Sequence, residues 1–305
     1  MSRKRKEKKI NRRSSADENL QADWELDFYS RPILEPDGKK RWELLICNSM
    51  ALNTQATFRW EKRCPAEQVN SVWLTEALKE ALEYSSAEGW EAPKKVRCWR
   101  SSMRTMVQRA GAELNLDVIA SRRTYSLLEW LFERHRDVYP NQEGYMAGPL
   151  APPPMTIPTP PVPLPDAVQG DAWSWASLPL QSLREANEWP MGFNGLLPVP
   201  DTNSQNVTVP GLRLFSRTRA LALAGWLGGL EPVRMLIENN QLLLEAGQDD
   251  RWLVTEMDQQ TSNAAQKDLI SSVQEGHGLQ FISVQTTPDH QRFEGFWMLR
   301  DLPEL

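Results

Sequence analysis

From Trp24 to Ile33 apolar and polar positions alternate, with Trp24, Leu26 and Phe28 on one side and Glu25, Asp27 and Tyr29 on the other. A period of two is that of a strand with one face against a core. Glu35-Pro36-Asp37-Gly38 carries turn chemistry, so residues 42–47 return as the second arm of a hairpin, and residues 57–62 supply a third strand. At Val72 the period changes. Val72, Trp73, Ala77, Leu78, Ala81 and Leu82 recur at helical spacing behind Asn70 or Ser71 as N-cap, which predicts a helix to about residue 85. A strand over 96–99, a helix over 103–114, a strand over 116–120 and an amphipathic helix over 124–136 follow, giving the order βββαβαβα.

Composition then shifts. Residues 148–166 hold nine prolines, which exclude a regular helix or central strand and favour extended polyproline II, a semi-rigid spacer. Beyond it the pattern predicts a strand over 212–215, a helix over 218–230, a hairpin of 234–237 with 241–244 turning at Asn239-Asn240, a strand over 251–256, a helix over 264–275 and strands over 279–285 and 292–299. The Gly-rich run at 224–230 lacks the Lys of a phosphate loop and falls inside a helix, so it predicts close helix packing. The fold class is α/β (α+β): two mixed-sheet domains joined by a Pro-rich linker. The boundaries are a disordered basic arm over 1–22, an N-terminal domain over 23–147, the linker over 148–177 and a C-terminal domain over 178–305.

Several chemistries lack material. No stretch approaches the roughly 18 uninterrupted apolar residues of a membrane span, since Gly225, Gly228 and Gly229 interrupt the longest; no membrane insertion is expected. Cys47, Cys64 and Cys98 are scattered, and His135, His277 and His290 stand far apart. That leaves neither a disulfide framework nor a zinc site nor a Ser-His-Asp triad, and no cofactor is expected. The unpaired pattern of the cysteines points to a reducing compartment; the first residues lack the apolar segment of a signal peptide, which excludes secretion, and read as a disordered basic arm, with a short plastid-type transit fragment as the alternative. The element order of the N-terminal domain is the one an RNase H-like nuclease shows, and such chemistry needs carboxylates converging on divalent metal ions. Asp27, Glu76 or Glu80, and Asp117 are the candidates. The strand over 96–99 offers Arg97, flanked by Arg100, where a metal site wants an acid, so no catalytic or metal-binding residue is assigned.

Charge changes the picture most. The net charge is −5, yet residues 1–13 carry eight Lys or Arg against Glu7, so the other 292 residues carry −12. Within that acidic body residues 94–136 hold ten cations against four acids. Clustered cations attract a polyanion by counterion release even on an acidic protein, because screening confines the field to about 8 Å. Nucleic acid is therefore the candidate partner, with Lys94, Lys95, Arg97, Arg100, Arg104, Arg122 and Arg123 for phosphates and Trp99, beside Arg97 and Arg100, for stacking an unpaired base. A solvated helix face is the alternative source of such a cluster. Tryptophans at strand positions such as Trp24, Trp42 and Trp297 are expected in the core.

The blocks WELDFYSRPILEPDGKKRWELLICN from Trp24, NEWPMGFNGLLPVP from Asn187, SRTRALALAGWL from Ser216, LLLEAGQDDRWLV from Leu242 and FEGFWMLRD from Phe293 resemble the Tab-two family, Atab-two in plants. The resemblance covers nearly the whole chain outside residues 1–22 and the linker. It implies a non-catalytic protein that binds single-stranded A/U-rich RNA in an mRNA 5′ leader and activates translation of photosystem I reaction-centre messages, with a role in photosystem biogenesis. It also implies a cyanobacterial cytoplasm, or a plastid stroma if the source is an alga or plant, with the translation machinery among the partners. It supplies no RNA-contacting residue. A metal-dependent nuclease, or an adaptor binding proteins through the linker and the acidic half, are the alternatives.

Overall fold

In the computed structural model, which describes residues 23–50, 52, 57–147, 159–201 and 206–302, the alternation at the start of the chain becomes β1 (Trp24–Leu34). The basic arm over 1–22 and linker residues 148–158 lie outside the described residues. β2 (Lys40–Asn48) and β3 (Arg59–Cys64) continue antiparallel. α1 (Ser71–Ala87) opens on Asn70, whose side-chain oxygen accepts the Trp73 N–H at 3.0 Å. After it come β4 (Lys95–Cys98), α2 (Arg104–Glu113), β5 (Asp117–Ala120) and α3 (Tyr125–Glu133). The sheet is ordered β3-β2-β1-β4-β5, with β4 parallel to β1 and β5 parallel to β4. Trp24, Leu26 and Phe28 pack under α1 and α2 with Leu74, Leu78 and Val107.

The other face of β1 is not wet. α3 covers it through Leu127, Trp130 and Leu131 against Leu45 and Cys47, leaving Glu25, Asp27 and Glu43 only 2%, 1% and 3% exposed. Charges so buried persist only when paired. Asp27 accepts Arg31 at 2.7 Å and Arg100 at 2.6 Å, while Glu43 accepts Arg134 at 3.1 Å and the Tyr139 hydroxyl at 2.9 Å. Burial alone would raise the Asp27 carboxyl, but Arg100 and Arg31 outweigh it and hold it below the ordinary carboxylate range.

The C-terminal half runs β6 (Val162–Pro163), β7 (Ala172–Pro179), α4 (Leu180–Leu183), β8 (Met191–Gly195), β9 (Thr208–Phe215), α5 (Ala220–Leu230), β10 (Pro232–Glu238), β11 (Gln241–Ala246), β12 (Asp250–Glu256), α6 (Gln259–Glu275), β13 (Leu279–Gln285) and β14 (Phe293–Arg300). Two sheets result, ordered β7-β9-β13-β14-β8 and β10-β11-β12-β6. Leu223 and Leu227 of α5 and Leu269 of α6 share one core with Leu212, Ile282 and Leu299 of the first sheet and Met235, Leu242 and Leu244 of the second. Asn239 and Asn240 turn the β10–β11 hairpin with φ of 50° and 63°, the left-handed pair a tight hairpin requires.

The linker reading needs correction at its C-terminal end. β6 pairs with β12, and β7 pairs with β9 along its whole length, so sheet structure begins inside 148–177 and ahead of residue 178. Both are edge strands, with Pro163 and Pro179 at strand ends, where a missing N–H costs no ladder bond. The proline run conceals β6, whereas β7 lies beyond it with a single proline at its last residue.

The two halves dock through β4, α3 and the loop between β5 and α3. Arg97 donates Nε to one Glu231 oxygen at 2.5 Å and a terminal nitrogen to the other at 3.0 Å, both side chains about nine-tenths buried. Tyr125 sets its ring in a core with Leu183, Val209 and Phe296, gives its hydroxyl proton to the Val233 carbonyl at 2.9 Å and accepts the Arg300 N–H at 3.3 Å. Arg123 reaches the carbonyls of Pro232 and Gly195, each at 2.8 Å. A Cβ at residue 195 would lie 2.9 Å from that guanidinium, so glycine is required there. Glu231 follows α5 with φ 56°, where glycine is the usual residue.

Removing one partner of a buried pair costs roughly 3–5 kcal/mol, and a left-handed backbone costs a non-glycine residue about 1–3 kcal/mol. Glu231→Ala should therefore lower the unfolding free energy in urea by about 3 kcal/mol or more, and Glu231→Gly by roughly 1 kcal/mol less. Equal losses would show that no strain is held at this residue.

Candidate nucleic-acid interface

The eight residues expected to contact RNA meet different fates. Arg97 is bound to Glu231, with Asp23 and the Ser49 hydroxyl each at 3.2 Å. Arg100 lies between the Tyr29 and Trp99 rings, 4.0 and 4.1 Å from their centroids, while bonded to Asp27. Arg123 is 8% exposed and bonded to carbonyls. Arg122 pairs with Glu245 at 2.8 Å. Arg97 and Arg100 thus turn their charge inward onto carboxylates, Arg123 is bonded to carbonyls at the seam, and Trp99 has one ring face taken by Arg100. Lys94 and Arg104 are exposed, and Lys95 is 40% exposed with Glu231 at 3.7 Å. Lys94 precedes β4 and Arg104 follows it, so the strand separates them.

The carboxylates considered for a metal site do not converge. Asp27 lies on the α3 face of the sheet, whereas α1 carries the exposed Glu76 and Glu80 on the opposite face. Asp117 is exposed two strands from β1, at the far end of β5 from the level of Asp27. With two guanidiniums on Asp27, the local charge also repels a cation.

What the fold does bring together is a cleft of about 650 Å³ along the seam of the two halves. Asp23, Glu25, Lys94, Arg97, Arg123 and Ser126 line its N-terminal wall, and the run from Asn194 to Pro200, which leaves β8, lines the other. Sequence periodicity does not mark that second wall, since beyond the end of β8 at Gly195 it belongs to no regular element; its only signal is apolar residues and two prolines directly after a glycine. At the base, Glu25 accepts the Leu127 N–H at 2.8 Å, capping the first turn of α3 in place of Thr124, which makes no cap bond. Burial dominates and pushes the Glu25 carboxyl up to about 7, against the lowering effects of Leu127, Ser49, Arg97 and Arg123.

Comparison with known proteins matches both halves. A model described as RNA-binding protein Tab2/Atab2 N terminal matches residues 23–134, and one described as RNA-binding protein Tab2/Atab2, C-terminal domain, matches residues 152–300. The chain is similar to the maize (Zea mays) protein named Protein TAB2 homolog, chloroplastic, at 34% identity over 92% of this chain and 72% of that protein. It is similar to the Arabidopsis thaliana protein of the same name at 32% identity over 92% of this chain and 75% of that protein.

The raised Glu25 carboxyl makes stability depend on pH with an uncommon sign. Between the ordinary 4.5 and about 7 the folded state holds a proton that the unfolded chain has released, so this group's contribution weakens as pH rises through that window and is lowest above it. The loss is on the order of 3 kcal/mol. Glu25→Gln should gain stability relative to wild type from pH 5 to pH 8 in urea unfolding; parallel pH profiles would place the Glu25 titration elsewhere.

Proposed function

The chain belongs to the Tab2/Atab2 family of RNA-binding proteins, and from that premise we propose that it binds single-stranded A/U-rich RNA without catalysing a reaction. The RNA is the 5′ leader of photosystem I reaction-centre messages, the outcome is activation of their translation, and the translation machinery is the protein partner. The chloroplastic names of the relatives support action in a plastid stroma; were the source a cyanobacterium, the corresponding compartment would be the cytoplasm. Among the described residues no helix is long and apolar enough to cross a membrane.

The observation that carries this reading is the set of cations left over when the interior pairs are complete. Lys94, Arg104 and Arg109 are exposed and have no ion-pair partner among the described residues. The basic arm, outside those residues, adds eight more. Such groups neutralise phosphates wherever the strand lies, and unpaired RNA alone presents base faces and edges to a protein surface.

Each phosphate neutralised on a single strand contributes about 0.7 to the slope of log affinity against log salt. The triple variant Lys94→Ala/Arg104→Ala/Arg109→Ala should lower that slope by up to about 2 in filter binding, and removal of residues 1–22 should lower it further. Loss of neither amount would overturn the electrostatic surface. Arg97→Ala is expected to destabilise the fold rather than to shift the slope.

A further inference from the structure

We propose that the cleft between the halves holds one unpaired nucleotide of the bound RNA, its phosphate at Lys94 and Arg123 and its base against the wall from Leu196 to Pro200. The inference rests on the RNA-binding reading and adds the place where sequence is read. Its volume, about 650 Å³, lies within the roughly 300–1,000 Å³ of small-ligand sites.

The two walls differ in chemistry as a nucleotide's two ends do. On the N-terminal side Arg97 is matched by Glu231 and Asp23; from the C-terminal half Arg300, on β14, is matched by Glu129 at 2.5 Å. Among the described residues Arg123 is bonded to two carbonyls and makes no direct ion pair, with Glu25 and Glu231 acting on it from farther off, and Lys94 has no ion-pair partner. Two cations without a direct ion pair among the described residues therefore face the same space, one 8% exposed and one exposed. A guanidinium in that setting attracts an anion more strongly than one in water, because screening falls with burial. Facing them, Leu196, Pro198, Val199 and Pro200 offer an apolar surface for a base, with the Asn194 amide beside it to pair with a base edge.

Both walls are fixed before any ligand arrives. Gly195 and Arg123 hold them together through the 2.8 Å bond, and Leu197 is anchored by burial and by its N–H to the Met298 sulfur at 3.4 Å. A rigid pocket spanning both halves separates sequence reading from the sequence-indifferent phosphate contacts of the exposed cations and the arm. It also couples RNA to the docked arrangement, since a ligand that binds only the docked state stabilises it.

The test uses the full chain and an A/U-rich single strand carrying 4-thiouridine, with a C-rich strand of equal length as reference. Photo-cross-linking followed by peptide mapping should place adducts on the peptide containing Leu196 to Pro200 or on the one containing Ser126. Pro198→Trp, which fills the cleft without removing a buried side chain, should weaken A/U-rich binding about tenfold and leave C-rich binding within about twofold. Pro198→Gly, which keeps the space open, should retain the preference and controls for a disturbed loop. If the wild type discriminates the two strands, and Pro198→Trp with an unchanged melting temperature discriminates equally, the cleft is not the reading site. Adducts confined to other peptides would likewise exclude the cleft. If the wild type binds neither strand at 50 mM salt, the RNA-binding reading itself falls, and the cleft's role with it.

Discussion

A guanidinium and a carboxylate, both nearly out of water, fix how the two halves of this protein meet. Arg97 takes Glu231 in a two-pronged bond whose planar geometry tolerates little rotation, so it sets an orientation as well as a contact. Desolvating the pair is costly, and further bonds offset part of that cost. Asp23 and Ser49 complete Arg97, while Ser121 at 3.3 Å and Lys95 at 3.7 Å complete Glu231. The backbone concedes to the same end. Glu231 occupies the left-handed position after α5 that glycine would fill without strain, because glycine has no carboxylate to offer.

This docking gives a second meaning to the chain's charge asymmetry. Some of the cations of residues 94–136 find their counter-ions in the C-terminal half: Lys95 and Arg97 with Glu231, and Arg122 with Glu245. Others turn inward within the N-terminal half, as Arg100 does to Asp27 and Arg134 to Glu43. A protein of net charge −5 repels a polyanion at a distance. Attraction must then come from a few cations acting at short range and from contacts that fit, which suits a pocket better than a broad basic face.

An order of elements does not by itself bring chemistry with it. The strand order places an aspartate in the middle of β1, yet two arginines from β1 and the residues after β4 occupy it. The same face that would present a reactive group to solvent is covered by α3, and its acids become structural.

The sequence alone determined the elements whose hydrophobic period is strong: β1 with its alternation, α1 behind Asn70, the Asn239-Asn240 hairpin, and the mixed α/β class. It also determined the family, through blocks spread over both halves. Periodicity reports which face of an element is apolar, and it says nothing of what covers the polar face. Glu25, Asp27 and Arg97 therefore read as surface groups, although tertiary packing buries them, and β6 in the proline run and β7 after it stayed hidden because their partners lie far along the chain, at β12 and β9. The cleft belongs wholly to the tertiary structure. Its walls come from segments about 70 residues apart, at Arg123 and Gly195, and only the docking of the two halves brings an acid, two cations and an apolar run to one space.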